Sequence, residues 1–286
     1  MIEEKRIETA TARCLIKAGT VFREDQFQAY KDAIETEQNP HAKWVLERIL
    51  ENAYIAKKKG LPLCDDTGIP HVLLEVGKNA KLAPGWLKAV HEGIISGLRA
   101  MPGRPMAVKG DDVERVQQSK GLFDDPGRVA PAPLIIKPIA GNRLRITILL
   151  LGGGPEIRAM THRIFHKRSI EIVLREAAGW MASQVKQLGC TPCVLAIGIG
   201  RTHAEASALM LEAMKNGTLN RQNYWEKKVT EWINNKGIGP LALGGNTTAL
   251  GTFINTGALR ASGVRILSVR PCCCMEPRRA TVVLKE

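Results

Sequence analysis

The 286-residue chain predicts a mixed α/β fold, built as a single compact domain over residues 1–286. Three observations predict it. Stretches with helical spacing of apolar residues alternate with short apolar runs of strand length. No internal repeat, low-complexity tract or clean linker interrupts the pattern. Apolar content of 44% and charged content of 24% are ordinary for a globular chain.

The elements follow in order. Residues 25–59 place Phe27, Tyr30, Ile34, Val45, Leu46, Ile49, Leu50 and Ala53 on helical faces, and Asn39-Pro40 predicts a break into two helices. Residues 61–70, Leu-Pro-Leu-Cys-Asp-Asp-Thr-Gly-Ile-Pro, read as a loop feeding a strand over His71–Val76. Pro84 suits the first turn of a helix that runs to about Met101. Residues 102–131 are polar, contain several Pro and Gly residues and show no period, so they read as loop. The apolar runs Pro133–Ile139 and Leu144–Leu151, hinged at Gly141-Asn142, predict a hairpin that ends at Gly152-Gly153-Gly154. A helix is expected over Ser169–Leu188, a strand over Cys193–Ile199, and helices over 203–216 and 222–235. The glycine-rich stretch Gly237–Gly251 then leads towards strands at Val264–Val269 and Ala280–Leu284.

A balance of 41 Lys and Arg against 28 Asp and Glu leaves the chain at +13. Such a charge suits nucleic acid, an acidic partner chain or small anionic substrates. The basic residues are scattered, in short runs such as Lys57–Lys59 and Arg278-Arg279, and aromatics are few at 5%, which disfavours nucleic acid. No apolar run approaches the ~18 residues of a membrane span. The start, Met-Ile-Glu-Glu-Lys-Arg, leads into no signal-peptide core, so a cytoplasmic protein without a membrane partner is expected. Seven cysteines, an odd number, argue against a disulfide framework and for free thiols or ligands.

Six of those cysteines fall at three stations: Cys64 in Cys-Asp-Asp-Thr-Gly, Cys190 in Gly-Cys-Thr-Pro-Cys, and the run Cys272-Cys273-Cys274. Each lies beside turn-forming glycine or proline, where a loop can present a thiolate. Three thiolates from distant loops suit an iron–sulfur cluster with one metal site left open. Each station also has a plainer reading. Cys64 could sit in an acidic turn ahead of a strand. Cys190 and Cys193 have the spacing of zinc or redox pairs, but no second pair completes a zinc site, and Cys193 enters an apolar strand as a small hydrophobe. Adjacent cysteines in an extended segment alternate faces, so one of residues 272–274 is expected to be a ligand while the others pack or support it. Arg278 and Arg279 could grip a carboxylate or form a solvated end.

The glycines of Gly152–Gly154 and Gly198-Ile-Gly200 lack a dinucleotide or phosphate-loop spacing. They are expected to let backbone amides approach an anion or a cluster sulfide. His162 and His166 have no third ligand and are expected at the surface.

Together these motifs resemble the iron–sulfur class of fumarate hydratases, specifically the α subunit of the two-subunit fumarase and L(+)-tartrate dehydratase enzymes. The family's Cys-Gln-Asp-Thr-Gly is matched by Cys64-Asp65-Asp66-Thr67-Gly68, and its Gly-Gly-Gly-Ser by Gly152-Gly153-Gly154-Pro155. Its Cys-Pro-Pro and Gly-Gly-Thr are matched by Cys190-Thr191-Pro192 and Gly200-Arg201-Thr202. Its Gly-x-Gly-Pro…Gly-Gly is matched by Gly237-Ile238-Gly239-Pro240 and Gly244-Gly245, and its Cys-Trp-x-x-Arg-Arg by Cys274-Met-Glu-Pro-Arg278-Arg279. The matches run in order along nearly the whole chain.

The resemblance implies a domain like the N-terminal (α) domain of iron–sulfur fumarases. It also implies a [4Fe–4S] cluster held by Cys64, Cys190 and Cys274, and reversible addition of water to a small dicarboxylate. An open iron would act as a Lewis acid on substrate oxygens while a base removes the α proton. Asp66 and Thr67 are expected to orient substrate or water, Gly153 and Gly154 to donate amides, and Arg278 to hold a carboxylate. Asp65, Arg128 and Arg201 are expected at the substrate. The family's base lies in its β part, so a separate β subunit of the fumarase or tartrate dehydratase type is implied, in a dimer of αβ units.

Several positions depart from the family pattern. Asp65 replaces glutamine, Arg201 replaces glycine and could offset the Asp65 charge, and Leu151 stands where lysine often precedes the glycines. Arg128-Val-Ala-Pro-Ala-Pro replaces a longer Arg-x-Asn-Thr-Gly motif, and Ser262 falls where a histidine is frequent. These changes leave the substrate open. They also admit a rival class: a non-catalytic iron–sulfur sensor or nucleic-acid-binding protein derived from the same family.

Overall fold

The chain is nine helices and eight strands, with two 3-10 turns between them. In the computed structural model, which describes residues 1–286, contacts fall into two compact units. The first comprises Met1–Val21, Ile55–Gly153 and Arg278–Glu286, and the second Phe22–Tyr54 and Gly154–Pro277. Each has its own four-stranded mixed sheet, so the mixed α/β class is what the structure shows.

The first unit begins with α1, Glu4–Thr20, which sequence periodicity had not marked. Its buried face, Ile7, Thr11, Cys14, Leu15 and Ala18, has helical spacing, but dense charge on the other face masks it. Strands β1 (Ile69–Gly77), β2 (Ile135–Ile139), β3 (Arg143–Leu151) and β8 (Arg278–Lys285) form a sheet of order β2-β1-β3-β8. Helix α4, Trp86–Ala100, packs on α1. Val72, Leu74, Ile146, Ile148 and Leu150 meet Leu15, Val90, Ile94 and Leu98 in the core.

The hairpin expected at Gly141-Asn142 does not form. Strand β1 inserts between β2 and β3, parallel to β2 (Leu73 opposite Ile135) and antiparallel to β3 (Leu73 opposite Thr147). The reason is burial: β3 is covered from Ile146 to Leu151, whereas β2 is largely exposed and fits a sheet edge. Residues 102–131 also hold more structure than expected. They carry α5, Asp112–Gln117, capped reciprocally by Asp111 and Glu114, and a 3-10 turn at Pro126–Arg128.

In the second unit, α2 (Glu24–Thr36) and α3 (Pro40–Lys59) are separated at Asn39-Pro40 as the sequence predicts, with the last residues of α3 belonging to the first unit. The turn α6, Gly153–Glu156, leads to β4, Met160–Phe165. Ser169 caps α7, Ile170–Leu188. Strand β5 (Cys193–Gly200), α8 (His203–Asn216), α9 (Tyr224–Asn234), β6 (Ala249–Thr256) and β7 (Val264–Cys272) complete the unit, in sheet order β4-β7-β5-β6. The sequence reading missed β4 and β6, which are the two edges and are rich in polar residues or in Gly and Thr. Leu195, Ile197, Ile199, Leu267 and Val269 pack against Val173, Leu174, Met181, Val229 and Ile233. On the opposite strand face, Gly198 meets α8. A Cβ there would lie 2.1 Å from the Ala206 oxygen and 2.3 Å from the Met210 nitrogen. That glycine therefore serves helix packing and not anion approach. No helix is long and apolar enough to cross a membrane.

Candidate functional site

The first unit presents Cys64 from the loop between α3 and β1. Leu63 is buried and its amide bonds to the Gly19 oxygen at 2.9 Å, which anchors the loop one residue before the thiol. Cys64 is half-buried, with Sγ 3.5 Å from Asp65 Oδ1. Asp66 is a staple: Oδ1 accepts the Gly68 amide at 3.0 Å and Oδ2 accepts the Gly153 amide at 2.8 Å. Thr67 is buried and donates to the Arg104 oxygen at 3.1 Å. Gly68 occupies φ +79°, where a side chain would strain the turn and meet the Arg278 guanidinium.

Arg278, expected to hold a carboxylate, is only 3% exposed. Its Nη1 donates to the Asp66 oxygen at 2.7 Å and its Nε to the Leu150 oxygen at 3.2 Å. The guanidinium thus clamps the Asp66–Gly68 turn to the end of β3. Asp65 is exposed, and its counter-charge is Arg104 at 3.5 Å, a pairing no sequence signal marked. Arg128 lies exposed on the 3-10 turn with its guanidinium 4.4 Å from the Phe123 ring centroid.

The second unit brings Cys190 and Cys274 together, and its strand pairing explains how. Strands β5 and β7 are antiparallel, with Val194 opposite Cys272, so the start of one lies beside the end of the other. Continuing past both ends, the Cys274 amide bonds to the Cys190 oxygen at 2.9 Å. Cys190 is exposed, and the Cys190 and Cys273 thiols are neighbours of the Cys274 thiol. Hydrogen bonding to these two neighbours, together with burial and the proximity of like charges, pushes Cys274 well above the usual thiol range. A thiolate there therefore calls for a nearby cation.

Cys193 and Cys272 behave as the sequence predicts for packing residues. Both are fully buried; burial pushes Cys193 up to about 12, and Cys272 Sγ rests 3.5 Å from Met214 Sδ. Cys273 is different, since its thiol stands in the site beside Cys274. Thr191 locks the Cys190 loop to the glycine-rich segment by donating to the Gly239 oxygen at 2.6 Å.

Tyr30 was legible only as an apolar helix position. It is fully buried, stacks on Phe22 at 5.6 Å between centroids, and donates to the Cys274 oxygen at 2.7 Å. Replacing Tyr30 with Phe keeps the stack and leaves that oxygen without its donor. The expected loss is about 1–2 kcal/mol in thermal unfolding.

Arg201 does not share the thiol site. Strand β5 runs between Cys193 and Gly200, and at ~3.3 Å per residue this puts Arg201 on the order of 20 Å beyond the thiols. It pairs instead with Glu205 at 2.8 Å on the first turn of α8. The Gly153 amide is occupied by Asp66, and Gly154 is exposed on α6. His162 is exposed on β4, and His166 is half-buried, with its Nε2 2.7 Å from the Ser262 oxygen. No three His, Cys, Asp or Glu side chains gather as a single-ion site.

Two known proteins are similar to this chain. One, from Methanocaldococcus jannaschii and provisionally named L(+)-tartrate dehydratase subunit alpha, is 28% identical over 262 residues, or 87% of this chain and 88% of that protein. Fumarate hydratase 2 of Leishmania major is 28% identical over 242 residues, 76% of this chain but 40% of that longer protein. The family model described as Fumarate hydratase (Fumerase) matches residues 8–283, and the chain belongs to that family.

Proposed function

We propose that this chain is the α subunit of a [4Fe–4S] hydro-lyase that reversibly adds water to a small dicarboxylate or hydroxy-dicarboxylate. Family membership across residues 8–283 supports the hydro-lyase reaction. The single observation that carries the site is the pairing of Cys190 and Cys274 across the β5–β7 ends. Fumarate, malate and tartrate are the candidate substrates, in keeping with the names of the two relatives. The "subunit alpha" in one name supports a separate β subunit as partner, and a cytoplasmic dimer of αβ units completes the reading.

The donors of the second unit fit such a cluster by their chemistry. They are soft thiols at the end of a rigid ladder, and as neutral groups they are weak hydrogen-bond donors and acceptors. Cys190 and Cys274 would hold the cluster, with Cys64 as the third ligand. Once bound, the cluster would supply a Lewis-acidic iron with a position open to substrate oxygens. The remaining work falls to the protein. Asp66, Thr67 and Arg278 hold the Cys64 turn in one shape, and Gly154 has room for a carboxylate to approach its backbone. Arg104 beside Asp65 and the exposed Arg128 are cations available to an anionic substrate.

Anaerobic reconstitution with iron and sulfide, followed by absorption spectroscopy, tests the reading. The wild-type chain is expected to develop the broad cluster band, while Cys64→Ser, Cys190→Ser and Cys274→Ser lose it or convert it. A wild-type chain that takes up no cluster, or one indifferent to Cys274→Ser, would overturn it. Adding a β subunit should then give dehydration of malate or tartrate.

A further inference from the structure

Arg270 is the largest fully buried side chain of the protein, and it is charged. It projects from β7 opposite Ala196 of β5, two residues before the strand ends at Cys272. Its Nη2 donates to both carboxylate oxygens of Glu276, at 3.1 and 3.3 Å, and its Nη1 donates to Glu156. Glu276 is itself fully buried, whereas the Glu156 side chain is 62% exposed at the end of α6. Burial opposes the charge on Arg270, and the carboxylates of Glu276 and Glu156 hold it protonated.

Such a group is poorly explained by stability alone. A buried ion pair recovers little more than its desolvation cost, and apolar side chains of similar volume are often as stable. What the pair does instead is fix geometry. The Glu276 amide donates to the Cys273 oxygen at 3.0 Å, closing a four-residue turn with Cys274 and Met275 at its centre. The Glu276 side chain bolts the far end of that turn to Arg270. Other restraints on the turn include the Cys190 oxygen, Tyr30 at the Cys274 oxygen, and Arg23 donating to the Pro277 oxygen at 2.7 Å. Of these, only Arg270 also reaches α6, the turn that contains Gly154.

We propose that Arg270 is a positioning residue, which through Glu276 sets the turn presenting Cys274 and through Glu156 ties that turn to the segment following Gly154. The proposal deepens the reading of Cys274 as a cluster ligand and rests on it. A lysine cannot replace Arg270, because a single ammonium does not present a planar fork to two carboxylates.

Two readouts test this, one of them independent of any cluster. In the cluster-free chain, the rate of Cys274 alkylation by iodoacetamide, followed by peptide mass spectrometry, reports how the turn is held. In the reconstituted chain, the rate of cluster loss to a chelator reports how well the ligand is placed. Glu276→Gln and Arg270→Lys are expected to change the alkylation rate severalfold and speed cluster loss by about 10-fold or more, the usual scale for partners that orient a ligand. Glu156→Gln should move both in the same direction by less.

The decisive variant is the apolar pair Arg270→Met with Glu276→Met. It is expected to keep wild-type thermal stability, yet still show altered Cys274 labelling and fast cluster loss. Wild-type labelling and retention in that pair would reduce Arg270 to a structural residue and overturn the proposal. If the wild-type chain takes up no cluster at all, the proposed function fails. The labelling rates would still decide whether Arg270 positions the turn.

Discussion

Replacing Arg278 with alanine is expected to lower the stability of the protein by about 3–5 kcal/mol and to abolish activity. The guanidinium is buried and donates to the Asp66 and Leu150 oxygens, which lie on the Cys64 loop and at the end of β3. Alanine removes that donor from both carbonyls in a space water fills poorly. The Asp66–Gly68 turn also loses its only contact with β8 among those described above. Arg278→Lys should not rescue it, since one ammonium cannot serve both oxygens from the arginine position. Thermal unfolding of both variants, with circular dichroism to verify folding at low temperature, measures the loss. A melting temperature within a degree of wild type would show that the clamp carries little.

Gly198→Ala is expected to be of similar severity, at about 3 kcal/mol or more. A methyl group at this position would overlap the backbone of α8, at the Ala206 oxygen and the Met210 nitrogen, and not the end of a flexible side chain. The helix must therefore shift away from β5 and β7, on which it packs. Gly154→Ala makes the control, because nothing lies within 4 Å of a Cβ at that position. Denaturant titration should separate the two variants by most of the predicted difference. Equal midpoints would mean that α8 can move without penalty.

Much of this was legible locally. The break at Asn39-Pro40, the helix beginning at about Ser169 and the apolar run of β5 follow from nearest-neighbour chemistry, and the structure places them where the sequence does. What failed was non-local. The insertion of β1 between β2 and β3 depends on which strand can be buried on both sides, and no turn signal encodes that. Edge strands β4 and β6 carry too few apolar residues to announce themselves.

The candidate site divides in the same way. The cysteine stations could be read from spacing, and so could the burial of Cys193 and Cys272. The roles of Tyr30, Arg270 and Arg278 could not, because their partners lie far along the chain or are backbone oxygens. Arg201 misled for the opposite reason. It is close to Cys190 in sequence, and an extended strand converts that closeness into separation.

The pairing of β5 with β7 also sets a timetable. Cys190 and Cys274 meet only because strands far apart in the chain have zipped, and such long-range pairings form late and slowly. Until β7 has been synthesised and paired, Cys190 lies apart from the 272–274 run. The meeting of these two cysteines is therefore a late event in folding, gated by completion of the second unit.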